Sequence, residues 1–395
     1  MRLFAVQTLS FALLFAAGCA SSSTTAKSSS ATPRTSDSAA NGQAAISQRP
    51  AKDKVLWQYR NASAALRRGQ YAEARALLDD ALLTVGAIAT NDKEAKKARG
   101  YFHEESRKTF HGEPYERVMA YYYRGILYWM DGEPDNARAC FRNGEVQDSD
   151  TQSKEYAGDY VLLDYLDGLV TTKLAGDGSD AFKRAQASFK AGTLLPYDAK
   201  ANALFFVEFG KGPTKYATGE HQQELRFHTA QSEVRAAQIK VGDQTIRVNP
   251  YDDLNFQATT RGGRVMDHVL ANKAVFKSTT DAVGTAAIIG GAVVASNRNT
   301  QEAGLGLLAA GLLTKIISSA TTPAADTRSW DTLPQYLGFA AIPLPQGQHK
   351  ATVEFLDAAG LPNPRLTKTV NLSVSAPSRD TVIFVSDQSL TTKPL

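Results

Sequence analysis

From Ala51 to Pro196 the apolar positions recur three or four residues apart, and strand signals are scarce, which predicts helices. Three stretches in this half share one pattern. ALRRGQYAEARALLDDALL sets Gly69, Tyr71, Ala74, Leu78 and Ala81 in the order G-x-Y-x-x-A-x-x-x-L-x-x-A. YYYRGILYWMDGEPDNARACFRNGE repeats the offsets with Tyr121, Gly125, Tyr128, Gly132, Ala137, Phe141 and Gly144. DGLVTTKLAGDGSDAFKRAQASFKAGTLLP supplies Gly168, Ala185, Phe189, Gly192 and Pro196, with extra residues in its turn. Each predicts two helices joined by a tight turn. Small residues such as Gly125 and Ala137 let the helices approach, and Tyr128 and Phe141 fill the groove. Gly132 turns the chain, and Pro196 stops the last helix. The stretch from Lys93 to Val118 reads as a long or decorated helix.

After Pro196 the period changes. ALFFVEFG, QSEVRAAQIKVGDQTIRVNP, LGFAAIPLP, HKATVEFLD, RLTKTVNLSVSA and RDTVIFVSD carry β-branched or aromatic alternation, with VGDQ, PQGQ and DAAG as turns between some of them. They predict an antiparallel sheet or small sandwich, its last three strands forming an immunoglobulin-like or transthyretin-like meander. A Gly/Ala-rich stretch, about 264–320, interrupts the strands and reads as an apolar helical hairpin around SNRNTQE. Gly284, Gly290 and Gly291 on one arm and Gly304, Gly306 and Gly311 on the other permit close helix contact. A buried hairpin, an oligomer or partner surface, and membrane contact are its three readings. The first arm falls short of the ~20 apolar residues that span a bilayer, and the second carries Lys315.

The helical pattern, best in the middle stretch, resembles the tetratricopeptide repeat, whose helix–turn–helix units stack into a curved solenoid. The resemblance implies a concave face able to hold a peptide. Aromatic stripes at helical spacing ordinarily bury themselves. The alternative, groove-lining reading nominates Tyr121, Tyr122 and Trp129 as partner contacts. Cys140, in phase with Ala137, is expected as a buried, inert thiol. The fold class is α+β: tetratricopeptide-like hairpins over 51–197, then an antiparallel, sandwich-like β-rich part over 198–395 with the helical insert.

The chain starts with Met1–Arg2 and a run from Leu3 to Ala17 that is apolar apart from Gln7, Thr8 and Ser10, the layout of a secretory signal over 1–18. Ala16-Ala17-Gly18-Cys19 resembles the bacterial lipobox, with Ala16 where leucine is commoner. The match implies cleavage before Cys19 and acylation there. A plain exported protein cut nearby is the alternative. Ala20, rather than Asp, implies sorting to the outer membrane. Residues 20–50 are dominated by Ser, Thr and Ala, with few large apolar side chains, so 19–50 reads as a lipidated cysteine and a disordered tether. Some 30 such residues reach roughly 30 Å. Cys140 is the only other cysteine, which leaves no disulfide framework. The 44 basic and 40 acidic residues nearly balance, with no basic tract interleaved with aromatics, so nucleic acid is not an expected partner.

Catalytic and metal motifs do not emerge. His103, His111, His221, His228, His268 and His349 include no i, i+4 pair. GKGPTK, from Gly210, departs from a phosphate loop and fits a strand turn, and no serine stands in G-x-S-x-G. Carboxylates such as Asp79 and Asp80 read as solvated helix faces.

HGEPYERVMAYYYRG (His111–Gly125), the Gly/Ala-rich insert and ADTRSWDTLPQYLGFAAIPLPQGQH (Ala325–His349) together resemble a family of tetratricopeptide-like proteobacterial outer-membrane lipoproteins, often encoded beside a penicillin-binding-protein activator lipoprotein. The resemblance covers nearly the whole chain and implies outer-membrane anchoring with a periplasmic body. It carries over no functional residues. Asp326, Arg328 and Trp330 read either as a structural corner or, for Arg328 and Trp330, as partner contacts. The expected function is non-enzymatic: a lipid-anchored, periplasm-facing scaffold that recruits a protein or peptide, with no cofactor beyond the acyl chains on Cys19. The alternatives are a subunit of an envelope ring or secretion apparatus, with the hairpin as a homo-oligomer contact, and a peptidoglycan hydrolase using carboxylates gathered by the fold.

Overall fold

In the computed structural model the described residues are 51–89, 109–149, 156–260, 324–376 and 379–389. The signal segment, Cys19, the Ser/Thr/Ala tract, residues 93–108 of the helix expected over 93–118 and the insert of about 264–320 lie outside them, and residues 109–113 of that expected helix are irregular. Helices form where the apolar period is three to four. After a 3-10 turn at Ala51–Asp53 come α1 (Lys54–Arg67), α2 (Tyr71–Ala89), α3 (Pro114–Met130), α4 (Pro134–Asp148), α5 (Val161–Lys173) and α6 (Ser179–Ser188). α1 and α2 turn at Gly69, and α3 and α4 turn at Gly132. Both glycines hold positive φ, +69° and +81°, where a side chain would be strained. Pro114 opens α3, and the Glu116 carboxylate takes the N–H of Glu113 just ahead of it.

One boundary differs from expectation. α6 stops at Ser188, well short of Pro196, because the chain folds back over its end. There the Gln186 amide donates to the Gly192 carbonyl (3.0 Å) and accepts from the N–H of Leu194 (2.8 Å).

The strands are β1 (Ala203–Phe209), β2 (Thr214–Thr218), β3 (Glu224–His228), β4 (Ala236–Val241), β5 (Gln244–Val248) and β6 (Asp252–Asp253), followed by α7 (Leu254–Thr259). β7 (Tyr336–Ile342), β8 (Gly347–Leu356), β9 (Lys368–Val374) and β10 (Thr381–Ser386) complete them. They make a mixed sheet in the order β10-β1-β7-β6, an antiparallel sheet β5-β4-β8-β9, and a two-stranded ribbon β2-β3. The ribbon went unnoticed in the sequence. The expected terminal meander is corrected. β8 and β9 pair antiparallel, but β10 crosses to the other sheet and runs parallel to β1, from Ala203↔Thr381 to Glu208↔Ser386.

Burial explains the crossing. β9 alternates, with Val370, Leu372 and Val374 buried and Thr369, Asn371 and Ser373 exposed, so it suits a sheet with one wet face. In β10 every residue from Val382 to Ser386 is buried, and so is all of β1. Strands apolar on both sides fit only a middle layer. The mixed sheet is that layer. Phe205, Val207, Ile383 and Val385 face Ile239, Val353 and Leu372 of the second sheet, whereas Leu204, Phe206, Val382 and Phe384 join the core of the helices. The described residues thus form helices, middle sheet and outer sheet, α+β overall. The helical core runs without a break into the strands that follow residue 198. No described helix is long and apolar enough to cross a membrane.

Candidate functional site

Three of the residues nominated as partner contacts, Tyr122, Trp129 and Trp330, lie in the core of the helices, where it meets the middle sheet. Tyr122 and Trp129 on α3 are buried, their rings 6.2 and 6.1 Å from that of Phe206 on β1. The indole N–H of Trp129 donates to Asp380 Oδ2 (2.9 Å). Trp330 is fully buried and stacks on Tyr59 of α1 at 4.5 Å, its indole N–H donating to Ser63 Oγ (3.1 Å). The partner-contact assignment of Tyr122, Trp129 and Trp330 is therefore corrected, and Trp330 packs as its structural-corner reading expects. The inner face of the helices, which would form such a groove, is filled by the protein's own sheet. Tyr121 alone of the α3 nominees is half-buried, near Cys140 and Arg117. Cys140 is a free thiol whose pKa burial pushes up to about 11, as expected of an unreactive one.

Arg328 is spent internally. It donates to Asp326 Oδ1 (2.9 Å) within its own segment and to Asp53 Oδ1 (2.6 Å) ahead of α1. Arg60 donates to the Ser329 carbonyl (2.7 Å) and pairs with Asp331 (2.9 Å). The D-T-R-S-W-D run is thus a clasp on α1. Its centre is Glu116 at the start of α3, which accepts from the Trp330 N–H (2.6 Å) and from Lys215 Nζ of β2 (2.6 Å). Burial raises the Glu116 carboxyl above its ordinary value against the pull of Lys215.

A second buried ion pair crosses the seam. Glu208 of β1 accepts from Arg67 Nε of α1 (2.7 Å) and from the Tyr123 hydroxyl of α3 (2.5 Å). Both charged side chains are over nine-tenths buried, at 7% and 1% exposure. Asp79 and Asp80 keep 45% and 47% of their side chains exposed, in keeping with solvated helix faces, and each also reaches a neighbouring helix. Asp79 takes Arg124 of α3 (2.6 Å), and Asp80 takes Lys54 of α1 (2.7 Å). Sequence reasoning missed Glu116, Glu208 and Lys215. The available signal was a charge inside an apolar run, as in ALFFVEFG, since an ion held between apolar neighbours needs a partner.

The strongest displacement of carboxyl ionisation gathers where α4, α5 and β6 meet. Asp252 of β6 accepts the N–H groups of Val161 (2.9 Å) and Leu162 (2.9 Å), capping α5 from outside. Asp148, closing α4, accepts those of Gly158 (2.9 Å) and Asp159 (3.1 Å). Burial drives the Asp252 carboxyl up to about 7, helped by Asp159 and Asp148 and opposed by the two amides. Glu145, one turn before Asp148, is raised well above its ordinary value by burial and then by Asp164, Asp148 and Asp252. Its Oε1 is shielded from solvent and makes no hydrogen bond. Chemically this junction can take up and release protons near neutrality. Among the described residues no group of three or more His, Cys, Asp or Glu side chains is arranged to hold a metal ion.

No protein-family model matches the chain, and neither a curated protein nor a solved structure matches it.

Proposed function

We propose that the protein is a lipid-anchored adaptor, held to the outer membrane through acylated Cys19 and presenting its body to the periplasm, where it binds a protein or peptide of the cell envelope. In this reading 19–50 is the tether, and α1–α2, α3–α4 and α5–α6 are tetratricopeptide-like hairpins. The observation that carries it is repetition. Two hairpins turn on a left-handed glycine, Gly69 and Gly132, and small residues sit at the helix crossings. A methyl at Gly125 would lie 2.5 Å from Phe141 of the next helix, and one at Gly144 would lie 2.9 Å from Leu163 of α5. Repeats of this kind expose large surfaces and serve for binding. Because the middle sheet occupies the inner face, the adaptor reading places the partner on the outward side of the helices, where Leu83 of α2 and Val146 of α4 are 74% and 63% exposed.

The test is crosslinking of the tagged, full-length protein in cells, followed by identification of what co-purifies. A reproducible envelope protein, lost on Leu83→Asp/Val146→Asp substitution, is the expected result. Recovery of lipid and porins alone overturns the adaptor reading. Anchoring is tested separately: Cys19→Ala should leave the outer-membrane fraction, and its retention there would remove the anchor from the proposal.

A further inference from the structure

The carboxylates between α4 and β6 hold one short piece of chain from two sides. Asp148 grips the amides of Gly158 and Asp159 from α4, and Asp252 grips those of Val161 and Leu162 from β6. The same piece is tied to α7, where Gln257 donates to Asp159 Oδ1 (3.0 Å) and Phe256 meets the Tyr156 ring edge-on at 5.9 Å. Glu145 leans on the middle of it, since a Cβ at Gly158 would sit 3.4 Å from Glu145 Oε2. Its other oxygen is shielded and makes no hydrogen bond, so this carboxyl contributes no bond to the grip that Asp148 and Asp252 exert.

We propose that the segment from Tyr156 to Leu162 is a proton-controlled latch, which binds the helical layer to β6 and α7 while Glu145 is protonated and loosens when Glu145 ionises. The surrounding charges set the direction. Asp148 and Arg138 face the junction from α4, Asp164 and Asp167 from α5, Arg184 from α6, Asp252 from β6 and Asp159 from the segment itself, with the Tyr115 and Tyr160 phenols nearby. Arg184 is committed to Asp164 (2.7 Å) and Asp167 (3.5 Å), and Arg138 to Asp167 (2.7 Å). A negative charge on Glu145 therefore meets mainly like charge. Relief comes by moving the carboxylate, and Gly158 is a close neighbour that such a move would disturb. The proton is the ligand, and no other chemistry is required.

Amide hydrogen exchange on the full chain tests this, with rates corrected for the intrinsic effect of pH. Between about pH 5.5 and about pH 8.5 the amides of residues 158, 159, 161 and 162 should lose protection about tenfold, while those of β1 hold theirs. Glu145→Gln, which fixes the neutral form in the same shape, should keep the latch protected at both values. Unchanged protection in the wild-type latch overturns the proposal, as does an equal loss in Glu145→Gln. Should that variant not fold, Asp252→Asn separates the two acids: loss confined to 158–162 that persists in Asp252→Asn supports the latch, and loss shared equally by β1, or abolished in Asp252→Asn, rejects it.

Discussion

A methyl group added at Gly125 would stand 2.5 Å from Cε1 of Phe141, a ring with no exposure that cannot swing into solvent. Gly125→Ala should accordingly cost about 1–3 kcal/mol, read as a lower urea midpoint with unchanged slope. The charge pair at the seam behaves differently. Removing the carboxylate alone by Glu208→Gln leaves the buried Arg67 guanidinium without its ion-pair partner, and a loss of about 3–5 kcal/mol should follow. The double substitution Arg67→Met/Glu208→Leu strands no ion and should recover most of that loss in the same denaturation experiment. Single residues also set the limit of what the sequence reveals. Gly125, Gly132 and Phe141 were legible because their roles depend on neighbours a few positions away. Glu208 was not, because its partners, Arg67 and Tyr123, lie far off along the chain.

Among elements, α5 depends on a cap it does not carry. Its first amides are satisfied by Asp252 from a strand much later in the chain, so the start of this helix is a tertiary feature. Burial places the Asp252 carboxyl at about 7 and the Asp387 carboxyl, after β10, at about 6, both above the ordinary aspartate value. Across the interval from about pH 4 to about pH 7 the folded form then keeps protons that the unfolded chain has released. Stability from these groups is fully present at the acid end and is lost as pH rises through the folded values. Urea midpoints across that range should show a downward slope that Asp252→Asn makes shallower; a slope left unchanged by the substitution would count against the assignment. Strand identity was readable from composition, and strand partnership was not. The runs ALFFVEFG and TVIFV differ from TKTVNLSVS in lacking a polar face. That difference selects the middle layer for β1 and β10 and the outer sheet for β9.

For the whole molecule, the seam is where the helices and strands become one object. Tyr59, Tyr122, Tyr123 and Trp129 reach across it to Trp330, Phe206 and Phe384. A fragment holding residues 51–197 alone would expose those aromatic faces, and it should give no sharp cooperative melt and bind a hydrophobic dye. A fragment that melts cooperatively would show the helices to be self-sufficient. The pairing of β1 with β10 adds a consequence for the order of events during synthesis. A chain is made from its amino end, so β1 emerges well before β10, the strand that pairs with it on one side. Until β10 arrives, the middle layer is missing an edge and the helices have an incomplete floor. The middle layer therefore closes only once β10 has been made, and a truncation upstream of Thr381 should leave it unable to close.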